Sequence, residues 1–396
     1  MTYISKVVFF VQIIIYSPLI LFIVIIWPIF RIRIGVIKSR SLGHIAYTEI
    51  YLCDKKFGLY KKNEVVLWYH HREIANKYLL NQRKKQLIFL PGILLYPIRE
   101  LFLKYKFTHK HIYYKVEYDE KNKIYREISE KLTTKQEFLK QSAPFIKFSN
   151  YEIKIGDDYL KKNFIHDTDK IIVFGSRSPI YRDEKFVSVR NSNIKNQIEA
   201  IKFVTENGYI AIRVGRDKID KFEINTKKFF DYTFADHQSD FLDVYLQAKA
   251  KFMVCGNTGL NEIAMIMRVP RLIVDFSNFN LLNITNAAYA PMYLPKKLYS
   301  KELKKNLTYK EIFQKKLFEV SIVSEIPNDL QLIDNDNQEI LNATKEMIKL
   351  LENKLDFNAE RNKQNSFWNM YAKFYGQKEG IIISPSFFHS NPELFD

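Results

Sequence analysis

The sequence predicts an α/β protein with two parallel-sheet domains behind an N-terminal transmembrane or membrane-inserted helix. Three observations carry this expectation. Residues 7–30, VVFFVQIIIYSPLILFIVIIWPIF, contain no charge. Short apolar runs then alternate with amphipathic stretches in two successive series, the spacing of βαβ units. The 396 residues are 47% hydrophobic with only 12 Gly and 12 Pro, enough to bury two medium cores without extended disorder.

As a helix the apolar segment extends about 36 Å, more than the roughly 30 Å of a hydrocarbon core. No small-residue cleavage site follows it, so it reads as an anchor (1–31) rather than a cleaved signal peptide. Only Lys6 precedes it, whereas Arg31, Arg33, Lys38 and Arg40 follow, which orients the remaining chain toward the cytoplasm. Pro18 leaves a second arrangement open, a segment inserted into one leaflet only.

Charge is uneven. Residues 31–160 hold 26 Lys and Arg against 14 Asp and Glu, so +12 of the chain's net +17 lies there. Next to an apolar segment such a surface faces anionic lipid, and no nucleic-acid motif accompanies it. Cys53 and Cys255 are too few for a disulfide framework or a zinc site and point to a reducing compartment. The eight His show no metal-ligand spacing.

The first domain is expected over 32–160. Residues 32–37 read as a strand, IAYTEIYLC as a helix start, 63–70 as a strand, REIANKYLLNQ as a helix and 86–92 as a third strand. The stretch 95–150 is aromatic, basic and partly helical, and the polar 154–169 separates the series. The second domain, 161–396, is cleaner. Strands are expected at 170–176, 209–215, 251–256 and 271–276, with helices over 193–208, 239–250 and LNEIAMIMRV. Both series are Rossmann-like. Helical runs over 335–380 offer a helix that packs back across the first domain.

In such sheets ligands bind beyond the carboxyl ends of the strands. VFGSRSPIYRDEKFVSVRNS (173–192) places Arg177, Arg182 and Arg190 there, and guanidinium in that position suits a carboxylate or phosphate. Surface pairing with Asp183 or Glu184 is the plainer alternative, Arg182 being its best candidate. Arg213 ends the strand YIAIRVG, where Gly215 permits close backbone approach. Arg213 is either a ligand contact or half of a buried ion pair with Asp231 or Asp240. In VCGNTGLNEIA, Asn257, Thr258 and Gly259 open a helix whose N–H groups suit phosphate, and Glu262 is placed to reach a ribose; an ordinary N-cap is the alternative. In SLGH, His44 offers an imidazole suited to accept a proton near neutral pH, or a capping group.

The stretches RIGVIKSRSLGH, SRSPIYRD, RNSNIKNQIEAI, NGYIAIRVG, DYTFADHQSDFLDVYL, GNTGL and LPKKLYS, in that order, resemble a bacterial family of glycosyltransferases associated with surface polysaccharides. The resemblance covers most of the chain after the anchor and is strongest over 170–320. It implies a GT-B-like fold of two Rossmann-like domains and places Arg177, Tyr181, Arg190, Asn191, Arg213, Gly215, Asp240, Asp243 and Gly259 at motif positions. The expected activity is sugar transfer from a nucleotide-sugar donor to a lipid-linked or polysaccharide acceptor at the cytoplasmic membrane face. The sequence offers no convincing D-x-D loop, so protein cations rather than a metal are expected to receive the leaving diphosphate, and no cofactor is expected. A nucleotide-sugar epimerase and a non-catalytic carbohydrate-binding scaffold are the alternatives; nucleotide release that depends on acceptor separates them.

Overall fold

In the computed structural model the chain divides into two compact units, Met1–Phe138 and Leu139–Asp396. The structure describes residues 3–119, 123–128, 136–178, 186–279, 282, 289, 291–356, 358, 360–376 and 381–395; the side chains of 3–13, 128, 136–137 and 169 are outside that description.

The first unit opens with the helix Tyr3–Ile25, which contains Pro18. Tyr16, Ile20, Ile23 and Val24 recur at helical spacing and share a cluster with Leu95, Ile98 and Phe102 of the helix Gly92–Lys104. Ile15, Phe22 and Ile25 stay exposed. Among the described residues no helix is long and apolar enough to cross a membrane. The later half of the apolar segment is instead docked on its own unit.

Strands β1 (Arg31–Ile37), β2 (Glu64–His70) and β3 (Ile88–Phe89) form a parallel sheet in that order. Gly35 stands opposite Trp68, and a Cβ on Gly35 would lie 2.7 Å from the indole. Asn76 sets the start of the next helix, Lys77–Gln86, because its side chain accepts from the Leu79 N–H at 2.7 Å. That start is later than the run REIANKYLLNQ suggests. A buried ion pair, Arg83 to Glu49 at 2.7 Å, ties this helix to Thr48–Lys56. The stretch 95–150 is partly helical, as expected, through Gly92–Lys104 and Gln136–Gln141, and between them β4 (Lys115–Asp119) and β5 (Ile124–Ile128) form an antiparallel hairpin. The first unit takes in the N-terminal helix and ends at Phe138, ahead of the boundary expected at 160, and its third strand is a stub. The chain from Leu139 onward belongs to the second unit, because the helix Asn150–Lys162 packs on Asp240–Ala248.

The second unit is an α/β body on one parallel sheet. Its strands are β6 (Ile171–Gly175), β7 (Ile210–Arg213), β8 (Phe229–Asp231), β9 (Phe252–Cys255), β10 (Arg271–Phe276) and β11 (Met292–Pro295). A small antiparallel sheet follows, β12 (Lys297–Ser300), β13 (Lys305–Asn306) and β14 (Leu330–Ile333). The last strand, β15 (Ile382–Ile383), returns to the main sheet, whose order is β15-β11-β10-β9-β6-β7-β8. The strands β6, β9, β10 and β11 are buried throughout, as continuous apolar runs must be when both faces are covered. The chain runs outward from β6 in both directions, so the sheet has its topological switch point between β6 and β9. Helix Asn337–Leu351, started by the capping box of Asp336 and Glu339, packs on Ile198–Glu206 of its own unit. Residues such as Phe367 and Tyr371 of Arg361–Tyr375 close an aromatic cluster with Phe279, Tyr309 and Phe313.

Candidate functional site

The chain leaves β6 through Ser176, Arg177 and Ser178. Arg177 is buried, 6% exposed, and its carbonyl accepts the Ser192 N–H at 3.1 Å, which folds the returning loop back onto the strand exit. Burial pushes the Asp217 carboxyl up, and the Arg177 charge opposes that rise. Gln197 donates to the Gly175 carbonyl at 3.1 Å, closing the edge of the loop. Arg190 is half-buried, and its N–H donates to Ser188 Oγ at 3.3 Å. Asn191 is held by Lys296, whose ammonium donates to the Asn191 carbonyl and to Asp334 Oδ1, both at 2.6 Å. Among the described residues neither Asn191 Oδ1 nor Ser192 Oγ has a hydrogen-bond partner.

The exit of β9 meets this loop. A Cβ on Gly256 would lie 2.9 Å from Ser192 Oγ, so glycine is what lets the two loops touch. Asn257 and Thr258 are buried beside it, and Thr258 caps the helix Gly259–Ile266, accepting from Leu260 N–H at 3.2 Å. Arg177, Arg190, Asn191 and the Asn257–Gly259 turn therefore gather at the switch point. A groove of about 540 Å³ opens alongside, lined by Asn191, Ser192, Lys296, Lys301, Gln331 and Asp334. Its size suits a small ligand.

Other expected site residues lie elsewhere. Arg213 is half of a buried ion pair: it donates to Asp231 Oδ2 at 3.1 Å and to the carbonyls of Asp220 and Ile219 at 3.0 and 2.8 Å. Phe222 and Phe234 sandwich its guanidinium at 5.1 and 5.5 Å. That is the ion-pair alternative, and it corrects the ligand-contact reading. Gly215 adopts φ +150°, and its carbonyl accepts from Gln238, so it shapes the turn after β7. Asp240 pairs with Arg216 at 2.8 Å, as does Asp243 at 2.7 Å; Arg216 bridges the two carboxylates. Glu262 points inward rather than toward a ribose: it is 4% exposed, and burial pushes its carboxyl up to about 6 against the pull of Arg271. His44 lies in the short helix Leu42–Ala46 of the first unit, edge-on to Tyr47 at 5.9 Å. Tyr181, with Arg182, Asp183 and Glu184, lies outside the described residues.

Sequence reasoning missed the group beside the groove. Asp275, the penultimate residue of β10, has φ +53° and is fully buried, exchanging two 2.7 Å hydrogen bonds with Asn335. Burial and the neighbouring Asp334 raise its carboxyl, and Lys296 opposes them. The paired lysines of LPKK and the alternation DNDN (334–337) were the available signal. Among the described residues no group of His, Cys, Asp or Glu is placed to hold a metal ion.

No protein-family model matches the chain, and no curated protein matches it. Solved structures do match. Escherichia coli ADP-heptose lipopolysaccharide heptosyltransferase II is 13% identical, with 61% of this chain and 84% of that one covered and a TM-score of 0.36. A glycosyl transferase of family 9 from Veillonella parvula is 11% identical over 62% of this chain and 80% of its own, with a TM-score of 0.37. The E. coli heptosyltransferase WaaC with ADP is 14% identical over 61% and 87%, with a TM-score of 0.33.

Proposed function

We propose that this protein is a glycosyltransferase of the two-domain GT-B type, moving a sugar from a nucleotide-sugar donor to a lipid-linked or polysaccharide acceptor at the cytoplasmic face of a bacterial inner membrane. The observation that carries the reading is the convergence of Arg177, Arg190 and the Asn257–Gly259 turn where the sheet reverses its direction of growth. In the reaction the bond from the anomeric carbon to the diphosphate oxygen breaks, and its electron pair stays on the diphosphate. Charge grows there, and fixed cations and N–H donors stabilise it most at the transition state. Arg177 and Arg190 take that role, with Asn191, Thr258 and Gly259 around the donor. The acceptor hydroxyl forms the new bond and gives up its proton to a base, for which the imidazole of His44 in the first unit is our assignment.

The surface of the first unit supports membrane attachment. Ile93 at 77% and Phe107 at 73% exposure join Ile15, Phe22 and Ile25 as large apolar side chains left in the open. With part of Tyr3–Ile25 docked on the body, insertion into one leaflet fits the packing.

A nucleotide panel tests the reading. A nucleotide at one hundred times its dissociation constant stabilises by about 2.7 kcal/mol, visible as a raised Tm. Arg177→Ala should lower turnover about 100- to 1000-fold with the protein still folded, and Arg177→Lys should recover only part, since lysine keeps the charge and loses the planar fork. Near-normal turnover in a folded Arg177→Ala protein sinks the assignment.

A further inference from the structure

The first unit contains a cavity of about 990 Å³ that none of the donor chemistry uses. Its chemistry is split. Its lining includes His70, His71, Arg72 and Lys84, and among the described residues no acid lines the cavity. No ion pair engages Arg72 or Lys84 within the described residues, whereas Arg33 pairs with Glu64, Arg83 with Glu49 and Arg99 with Glu127. The helix Gly92–Lys104 begins at the same cavity, and its first turn presents backbone N–H groups there. Gly92 makes this approach possible, since a Cβ on it would lie 3.3 Å from the Tyr69 ring. Tyr69 lines the wall, is only 2% exposed, and among the described residues its hydroxyl has no hydrogen-bond partner. A buried donor left unsatisfied is costly, so a ligand acceptor at that position would remove a penalty.

Much of the remaining lining is apolar. Ile15 and Tyr16 of the N-terminal helix, with Leu90 and Ile93, complete the wall, and Ile15, Leu90 and Ile93 are exposed. Tyr16 donates to the Ile93 carbonyl at 2.8 Å, which fastens the N-terminal helix to the rim. A free phosphate would leave this wall wet, and a neutral lipid would leave the cations unmatched. We propose that the cavity binds the phosphate-bearing end of a long-chain alcohol, with the phosphate against Arg72, Lys84 and the helix start and the chain along Ile15, Leu90 and Ile93. Resting on the transferase reading, this makes the ligand the lipid carrier of the acceptor.

The test is equilibrium binding to the full chain in neutral detergent micelles, by calorimetry. Three probes are compared: geranylgeranyl phosphate, geranylgeraniol and inorganic phosphate. The phosphate ester should bind more tightly than either of the other two. Combined Arg72→Ala and Lys84→Ala should weaken it about tenfold or more, the loss expected for two charge-assisted contacts. Combined Lys61→Ala and Lys62→Ala, with the same loss of charge outside the cavity, should leave it unchanged. Tyr69→Phe should weaken binding while the melting temperature holds. Equal binding of the free alcohol, equal binding of inorganic phosphate, or unchanged affinity in the folded Arg72/Lys84 variant overturns the proposal. Phosphatidylglycerol in the same micelles separates a carrier from bulk anionic lipid, and equal affinity for it overturns the carrier assignment. Nucleotide binding measured on the same sample keeps the two readings apart: if it is absent while the ester binds, the transferase reading falls and the phosphate–lipid cavity stands.

Discussion

Glu262 shows how one buried group links position to stability. Its carboxyl is inside the second unit beside Arg271, and desolvation outweighs that attraction, so its pKa stands at about 6 instead of 4.5. The folded state therefore holds the proton more tightly than the unfolded state. The stabilisation is complete below about pH 4.5 and is lost as pH rises through about 6, by about 2 kcal/mol in total. Glu262→Gln should remove this component. Urea midpoints at about pH 4.5 and about pH 7 should differ less in the variant than in the parent chain. Equal differences in both would place Glu262 at the surface. Arg213 shows the structural use of a buried strand-exit arginine: it spends its donors on Asp231, Asp220 and Ile219.

At the scale of elements, the helix Asn150–Lys162 is set by small-residue contact. Gly156 faces Tyr245 of Asp240–Ala248, and a Cβ there would lie 2.2 Å from the ring. The ring cannot turn away freely, because its hydroxyl donates to Asp157 Oδ1 at 2.7 Å. Gly156→Ala should therefore destabilise by about 1–3 kcal/mol, although alanine favours a helix over glycine by about 1 kcal/mol. A denaturation midpoint at or above that of the parent chain would mean that the two helices do not meet at this glycine. The sequence reading treated 154–169 as a polar separator, since most of this helix is solvent-facing and only Gly156 and Leu160 are buried. The same limit hid β15, a two-residue strand that exists by pairing with β11.

For the whole molecule, the relevant facts are the distribution of charge and of exposed apolar surface. The first part of the chain carries most of the net +17, and that unit also exposes Ile93, Phe107 and Ile25. Purified protein in neutral detergent, diluted into vesicles, should associate with anionic vesicles more strongly than with neutral ones. The difference should shrink as salt shortens the Debye length from about 10 Å at 0.1 M to about 3 Å at 1 M. Replacing Ile93 and Phe107 with Asp should weaken association with both vesicle types. Association indifferent to salt and to these replacements would remove this face from the membrane reading.

The alternation of elements in the second unit was legible from sequence because β6, β9 and β10 are buried on both faces and so read as unbroken apolar runs. The strand exits carrying Arg177 and Gly259 were legible for the same reason: a buried run has to end where polar residues resume. Composition and an uncharged stretch likewise determined that one end of the chain is apolar and its neighbourhood basic. What the tertiary structure alone decided is partnership. It assigned Arg213 to Asp231 and Arg216 to Asp240 and Asp243, turned Glu262 inward, and brought Ser192 against Gly256. It also placed Asp275 and Asn335, sixty positions apart, in one hydrogen-bonded pair. Periodicity specifies which face of an element is covered, but the identity of the covering group depends on strand order and long-range register, which no local pattern contains.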